Sequence, residues 1–320
     1  MDLFSLIGLL SFIFFMSYMI LPWFLDCDIQ LAFKEKFGKP ISSLRGKVIW
    51  ITGASSGIGE ELAYVLAEVG CKLILSSRRK GLLEAVKRKC LEGNKYLNDN
   101  DIEVLALDMF DFESHEGAFR HVISKFKKLD ILVNNAGRSQ RAEWEKIDIK
   151  VDREMFDLNV FSAISLSRLA VNYFQLVDKG HIVITSSFAG KAGVPFSATY
   201  NGTKHALHGY FEGLWIEKLT KNIDVTLLCP GPIQTNFLQE SFTEIAGQKY
   251  GKNTDNSKLK MSAERCAHLM GVAIANKLME AWISKSLPLF LLYLSQYYPN
   301  VNIQFFKILG PRFLARIRDE

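Results

Sequence analysis

Apolar and polar positions divide the chain into three stretches. Residues 3–25 carry no charge at all, reading LFSLIGLLSFIFFMSYMILPWFL. As a helix rising 1.5 Å per residue they reach roughly 34 Å, enough to cross a bilayer. From about Lys47 to Phe237, short apolar runs alternate with stretches apolar at helical spacing, the pattern of successive strand–helix units. The spacing predicts strands at 48–52, 72–77, 104–108, 131–134, 181–186 and 224–229, and helices at 82–90, 113–127, 152–176 and 198–219. The third stretch, from Leu287, is dense in apolar and aromatic residues around Lys307, Arg312 and Arg316. It is expected either to pack on the domain or to lie in a membrane interface. The resulting division is a span at 1–25, a linker at 26–46, an α/β domain at 47–285 and an apolar extension at 286–320.

The start of the chain changes how its first stretch is read. Met1-Asp2 offers no basic n-region and Trp23-Phe24-Leu25-Asp26 no small-residue cleavage site, so an uncleaved single-pass anchor is expected rather than a signal peptide. Lys34, Lys36, Lys39, Arg45 and Lys47 follow the span and no Lys or Arg precedes it. The positive-inside tendency then puts the domain on the cytoplasmic side. A net charge of +5, spread without a basic block, argues against nucleic acid as a partner and suits an anionic cofactor or a membrane surface. The five cysteines, Cys27, Cys71, Cys90, Cys229 and Cys266, lack CxxC spacing, which excludes a disulfide framework and a zinc site as readings, so no metal is expected.

The chemistry begins at Thr52-Gly53-Ala54-Ser55-Ser56-Gly57-Ile58-Gly59, directly after the first strand and before a helical pattern from Glu61. Glycines there let a pyrophosphate approach the backbone, and the free N–H groups of the helix start attract its charge. The expected fold is therefore a single Rossmann-type, doubly wound parallel sheet. After the second strand comes Ser76-Ser77-Arg78-Arg79-Lys80. Arg78 and Arg79 suit a ribose 2′-phosphate, where an NAD enzyme would carry an acidic residue, so NADPH is favoured over NADH. Tyr200 and Lys204 lie four apart on a helix and share a face. An ammonium beside a phenol stabilises the phenolate and fits it for acid–base work. A hydrolase reading fails, since Ser187 lacks a Gly-x-Ser-x-Gly elbow. His205 and His208, without a third ligand, read as structural. Residues 237–261 are polar and irregular, either a substrate lid or a disordered loop.

Taken in order, the glycine turn, Asn134-Asn135-Ala136-Gly137, Asn159, Ser187, Tyr200 and Lys204 resemble the short-chain dehydrogenase/reductase superfamily, over roughly 47–237. The resemblance implies that Tyr200 exchanges a proton with the substrate oxygen. It implies further that Lys204 lowers the tyrosine pKa and holds the nicotinamide ribose, that Ser187 bonds the substrate oxygen, and that Asn159 positions a relay water. For cofactor contact it implies Gly53, Ser55, Ser56, Gly57, Ile58 and Gly59 of the turn, Asp108 at the adenine, Asn135, and Pro230, Gly231, Ile233 and Thr235 at the nicotinamide carboxamide. The family's basic residue within the turn is replaced by Ser56. CPGP-x-Q, SSRR and Trp-Ile-Ser at 282–284 look like a membrane-bound branch with the 11β-hydroxysteroid dehydrogenases among its relatives. That branch implies an endoplasmic-reticulum enzyme interconverting carbonyl and hydroxyl groups of lipophilic substrates such as retinoids and steroids. Pairing into a homodimer through the 198–219 helix is implied by analogy. The alternatives are a long-chain keto-lipid reductase and a non-catalytic NADP-binding scaffold.

Overall fold

Alternation within each strand sorts its side chains between two layers. In β1 (Val48–Thr52), Ile49 and Ile51 join one apolar cluster and Val48 and Trp50 the other. The same split runs through β2 (Lys72–Ser77), β3 (Ile102–Ala106), β4 (Ile131–Asn134), β5 (Gly180–Thr185) and β6 (Ile223–Pro230). Buried Trp50 meets its polar obligation by donating from Nε1 to Ser76 Oγ at 2.7 Å. The structure, a computed structural model, describes residues 2–20, 23–251 and 260–319, and among these the side chains of 17–20, 309 and 311–319 lie outside the description.

The main sheet is wholly parallel in the order β3-β2-β1-β4-β5-β6-β9. Its seventh strand, β9 (Glu280–Ile283), has only four residues and escapes sequence reading. One face is covered by α3 (Gly57–Glu68), α4 (Lys80–Leu91) and α9 (Ala263–Ala275), the other by α5 (Ser114–Phe126), α6 (Ile149–Phe156), α7 (Ser162–Leu176) and α8 (Ala198–Glu217). The strand order reverses between β1 and β4, which opens a ligand crevice at their carboxyl ends.

Three local expectations need correction. The third strand lies at Ile102–Ala106 rather than 104–108, because Ile102 registers against Leu73. Asp108 is consequently beyond the strand, exposed, with its carboxylate accepting from Phe110 N at 3.1 Å. The helix expected at 152–176 begins at Ile149 and is interrupted by a π turn at Asp157–Phe161. Finally, 26–46 is not a free linker. Asp28 caps α2 (Ile29–Phe37) by accepting from Leu31 N at 2.9 Å, and Leu31 is buried. Before that helix, Asp28 N donates to Trp282 O at 2.9 Å and Ser284 N to Asp26 O at 3.1 Å, so the chain pairs with the outer edge of β9. Arg265 of α9 grips Asp26 and Glu35 from beneath.

At the N-terminus, α1 (Leu3–Ile20) presents exposed Phe4, Leu10 and Phe12. Among the described residues no helix is long and apolar enough to cross a membrane. At the other end, α10 (Ser286–Tyr297) buries Leu289 and Leu292, while α11 (Pro299–Asp319, kinked at Gly310) exposes Val301, Ile303 and Ile308. Trp23 packs against Phe290, the rings tilted by 34° with centroids 4.5 Å apart. The loop expected as a lid (237–261) is flanked by β7 (Ile233–Gln234), which pairs with β8 (Met261–Ser262), and within it Phe242 bridges to Gln140. Residues 252–259 of that loop lie outside the described residues.

Candidate active site

β1 ends at Thr52, whose hydroxyl accepts from Asn135 N (3.0 Å) and Ala136 N (3.1 Å). Those two bonds lash the glycine turn to the end of β4. Gly53 sits at φ +67°, a region that favours glycine, and a Cβ there would lie 2.9 Å from Ala136 Cα. A Cβ on Gly59 would meet Gly53 O and Asn135 Nδ2, each at 2.5 Å. The Ser56 side chain caps none of the amides that start α3, and the first-turn N–H groups have no intrahelical acceptors. A backbone cradle with donors aimed outward fits a dinucleotide pyrophosphate.

Of the two arginines expected to read a 2′-phosphate, Arg79 closes on the turn. Its Nη2 donates to Ser55 Oγ at 2.8 Å and Ser56 Oγ at 2.7 Å. The cation missing from the turn itself is thus delivered across it. Arg78 is exposed. On the opposite bank Thr235 lies close to Gly57, where a Cβ would be 3.3 Å from Thr235 Cγ2, and Thr235 Oγ1 accepts from Phe237 N at 3.3 Å. Pro230 ends β6, Gly231 N donates to Ile283 O at 2.8 Å, and Ile233 lies in β7. Ile58, in the first turn of α3, is half-buried.

Helical spacing puts Tyr200 and Lys204 on one face of α8, with Lys204 Nζ 5.6 Å from the Tyr200 ring centroid. Lys204 Nζ donates to Thr185 O at 2.8 Å, at the end of β5. Burial pushes the lysine down from 10.5 to about 8, which neighbouring Cys229 only partly offsets. The two serines after β5 separate by direction. Buried Ser186 donates to Lys204 O at 3.4 Å, whereas half-buried Ser187 donates to Pro230 O at 3.4 Å and accepts from Ala189 N at 3.1 Å. The π turn carries Asn159 inward, consistent with such turns clustering at functional sites. Its Oδ1 accepts from Arg138 N and its Nδ2 donates to Arg138 O, both at 2.9 Å. A Cβ on Gly137 would lie 3.0 Å from Asn159 Oδ1 and 3.8 Å from Lys204 Nζ, which measures how closely those two groups converge.

Sequence reasoning missed Gln140. Fully buried, it accepts from Thr199 N and donates to Thr199 Oγ1, both at 3.0 Å, while its carbonyl accepts from Ser197 Oγ at 2.9 Å. It therefore fixes the first turn of α8, beside Tyr200. A lone glutamine carries no spacing signal, so only the fold reveals it.

Cys229, His208 and Glu280 cluster behind α8. His208 Nε2 lies 3.6 Å from Cys229 Sγ and Nδ1 3.4 Å from Glu280 Oε2, while Lys191 Nζ takes the same Glu280 oxygen at 3.1 Å. Burial raises the Glu280 pKa, but bonds from His208 and Trp282 and the Lys191 charge outweigh it and bring it from 4.5 to about 2. A carboxyl held below its unfolded value adds stability above about 4.5 that disappears as pH falls toward 2. Urea midpoints recorded from pH 6 to pH 2 are expected to drop through that window, and Glu280→Gln to flatten part of the drop. An unchanged slope would mean that Glu280 is not paired in solution. All five cysteines are buried and free, with burial raising the Cys71, Cys90 and Cys266 thiols to about 12.

The short chain dehydrogenase family model matches residues 47–246. The chain belongs to the short-chain dehydrogenase/reductase family, whose members are NAD(P)-dependent dehydrogenases and reductases. It is 43% identical over 277 residues to dehydrogenase/reductase SDR family member 7 of Homo sapiens, covering 86% of this chain and 81% of that one. The protein of the same name from Mus musculus is 42% identical over 278 residues, with the same coverages. Two solved structures share the fold. One is an alcohol dehydrogenase from the archaeon Thermococcus sibiricus complexed with 5-hydroxy-NADP (TM-score 0.64, 24% identity, 75% of this chain and 96% of that one). The other is a short-chain dehydrogenase/reductase from Burkholderia phymatum in complex with NAD (TM-score 0.69, 22% identity, 82% and 96%).

Proposed function

We propose that the protein is a membrane-anchored, NADPH-dependent enzyme that interconverts carbonyl and hydroxyl groups of lipophilic substrates, retinoids and steroids among them. The observation that carries this reading is the buried Lys204 ammonium set beneath the Tyr200 ring. In the reductive direction Ser187 holds the substrate oxygen and Tyr200 gives it a proton. Lys204 stabilises the phenolate left behind, and Asn159 keeps a path open for the replacement proton. The nicotinamide, when bound, supplies or accepts the hydride. The glycine turn, Asn135 and the 230–235 segment hold the cofactor, and Phe237, edge-on to Tyr200 at 6.4 Å, gives the substrate an apolar wall.

Arg79 supports NADPH over NADH. Charge-assisted bonds are worth about 1.5–3 kcal/mol, so Arg79→Ala is expected to weaken NADPH binding by roughly 10- to 100-fold while leaving NADH within about threefold. Equal losses would place Arg79 away from the 2′-phosphate. The uncharged stretch at 3–25 and the lysines after it support single-pass anchoring in the endoplasmic-reticulum membrane with the domain on the cytoplasmic face. Exposed Tyr210 and Ile216 on α8 suit a homodimer. The deciding assay is NADPH oxidation by the detergent-solubilised full chain against all-trans-retinal, several 3-ketosteroids, 3-ketosphinganine, an acyl-dihydroxyacetone phosphate and a quinone. A Tyr200-dependent signal on retinal or a steroid supports the proposal. A signal confined to the keto lipids replaces its substrate class, and silence with NADPH still bound favours a scaffold.

A further inference from the structure

The loop after β7 brings a carboxylate to the cofactor groove that the chemistry above does not use. Glu240 Oε2 pairs with Arg138 Nη2 at 3.2 Å, and Lys249 Nζ reaches Glu240 Oε1 at 3.2 Å. Arg138 follows Gly137 directly, and the Asn159 side chain holds both its backbone N–H and its carbonyl. The base of the arginine is therefore fixed beside Lys204. Its side chain is only 17% exposed, and the guanidinium stands 5.5 Å from the Phe242 ring of the same loop. Backbone bonds dock that loop on the segment after β4: Arg141 N donates to Phe242 O and Phe242 N to Ser139 O, both at 2.9 Å.

The charges around Arg138 are unbalanced. Burial is the largest influence holding its pKa down, followed by the like charge of Arg78, with Arg79 adding to it; Glu240 and Asp108 oppose them. Arg78, Arg79, Arg138 and Lys249 thus share two carboxylates, one of them on a loop. Arg79 already sits on the glycine turn. A cluster with surplus guanidinium charge invites an anion with several oxygens, and a forked guanidinium matches phosphate geometry. On the reading of this groove as a dinucleotide site, the anion at hand is a cofactor phosphate.

We propose that Arg138 is a third cofactor-binding arginine that serves two anions in turn, Glu240 of the loop and a phosphate of the dinucleotide, so that cofactor binding trades one ion pair for the other. Lys249 keeps Glu240 company after the exchange, and the loop keeps its backbone bonds to the segment after β4 but loses the side-chain ion pair that reinforces them. Glu240 thereby competes with the cofactor, and the competition vanishes when Arg138 is removed.

The test is a double-mutant cycle on NADPH affinity, read by fluorescence titration of the full chain in detergent without turnover. Arg138→Met is expected to weaken binding by about 10-fold or more, the size of a lost charge-assisted bond. Glu240→Gln is expected to tighten it by about 3- to 10-fold, and to change nothing in the Arg138→Met background. Amide exchange in 239–250 should quicken when NADPH is added to the wild type and stay unchanged in Arg138→Met. Unchanged affinity in Arg138→Met, with Arg79→Ala still weakened, overturns the exchange and leaves the cofactor site standing. A wild-type chain that binds neither NADPH nor NADH overturns both. Should Arg138→Met fail to fold by circular dichroism, Glu240→Gln decides alone: tightening supports the exchange and equal affinity refutes it.

Discussion

Tyr200→Phe is expected to keep its fold and its NADPH affinity yet lose turnover by about 10³-fold, within the ~10²–10⁴ that a positioned acid/base contributes. Phenylalanine preserves the ring that is almost entirely buried and packs edge-on against Phe237. Lys204 keeps its bond to Thr185 O, which does not involve the phenol. The proton donor is removed and the ring is kept, so kcat should fall while the cofactor Kd stays within about twofold. Circular dichroism and NADPH titration on the same preparation separate this outcome from misfolding. A variant retaining more than a tenth of wild-type turnover would assign the proton to another group.

Gly59→Ala is expected to invert the usual sign of a helix substitution. In an exposed helix interior, glycine to alanine stabilises by about 1 kcal/mol. At Gly59 the added methyl would stand 2.5 Å from Gly53 O and Asn135 Nδ2, and neither can retreat, because the Thr52 hydroxyl and carbonyl hold Asn135. Overpacking of this kind costs about 1–3 kcal/mol, and at ~2–4 °C per kcal/mol for a domain of this size the Tm falls by several degrees. The turn must open to admit the methyl, so NADPH affinity should fall at least tenfold by the same reasoning on lost backbone donors. Gly117→Ala on α5, where nothing lies within 4 Å of the new Cβ, is the control and should hold or raise the Tm. A Gly59→Ala chain as stable as that control would mean the cradle is looser than its geometry.

Much of the frame was legible because parallel strands buried on both faces read as continuous apolar runs. Val48–Thr52, Lys72–Ser77 and Ile131–Asn134 fall where those runs lie. The third strand slipped by two residues since buried Leu107 extends its apolar signal past Ala106, where pairing with β2 stops. The π turn at Asp157–Phe161 has no periodic signature, yet it is what turns Asn159 inward. α2 went unseen because Leu31 is its one buried residue among charged neighbours. Within the site, types and spacings named the residues, but neighbours in sequence could not be told apart by role. Arg79 rather than Arg78 touches the turn, and Arg138, Gln140 and Glu240 gain meaning only from partners distant along the chain.

The pairing of residues 26–28 with β9 also bears on the order in which the molecule is finished. Asp28 and Trp282, whose side chain and backbone N–H bond at 2.7 Å, are 254 positions apart. Contacts of such separation are among the slowest to form, and synthesis delivers the first partner long before the second. Residues 26–28 therefore wait for their partner until β9 has been made, and a product truncated ahead of β9 leaves that leading segment unmatched. Closure of the sheet's outer edge waits on β9, so a copy that lacks this strand keeps residues 26–28 without their partner in the sheet.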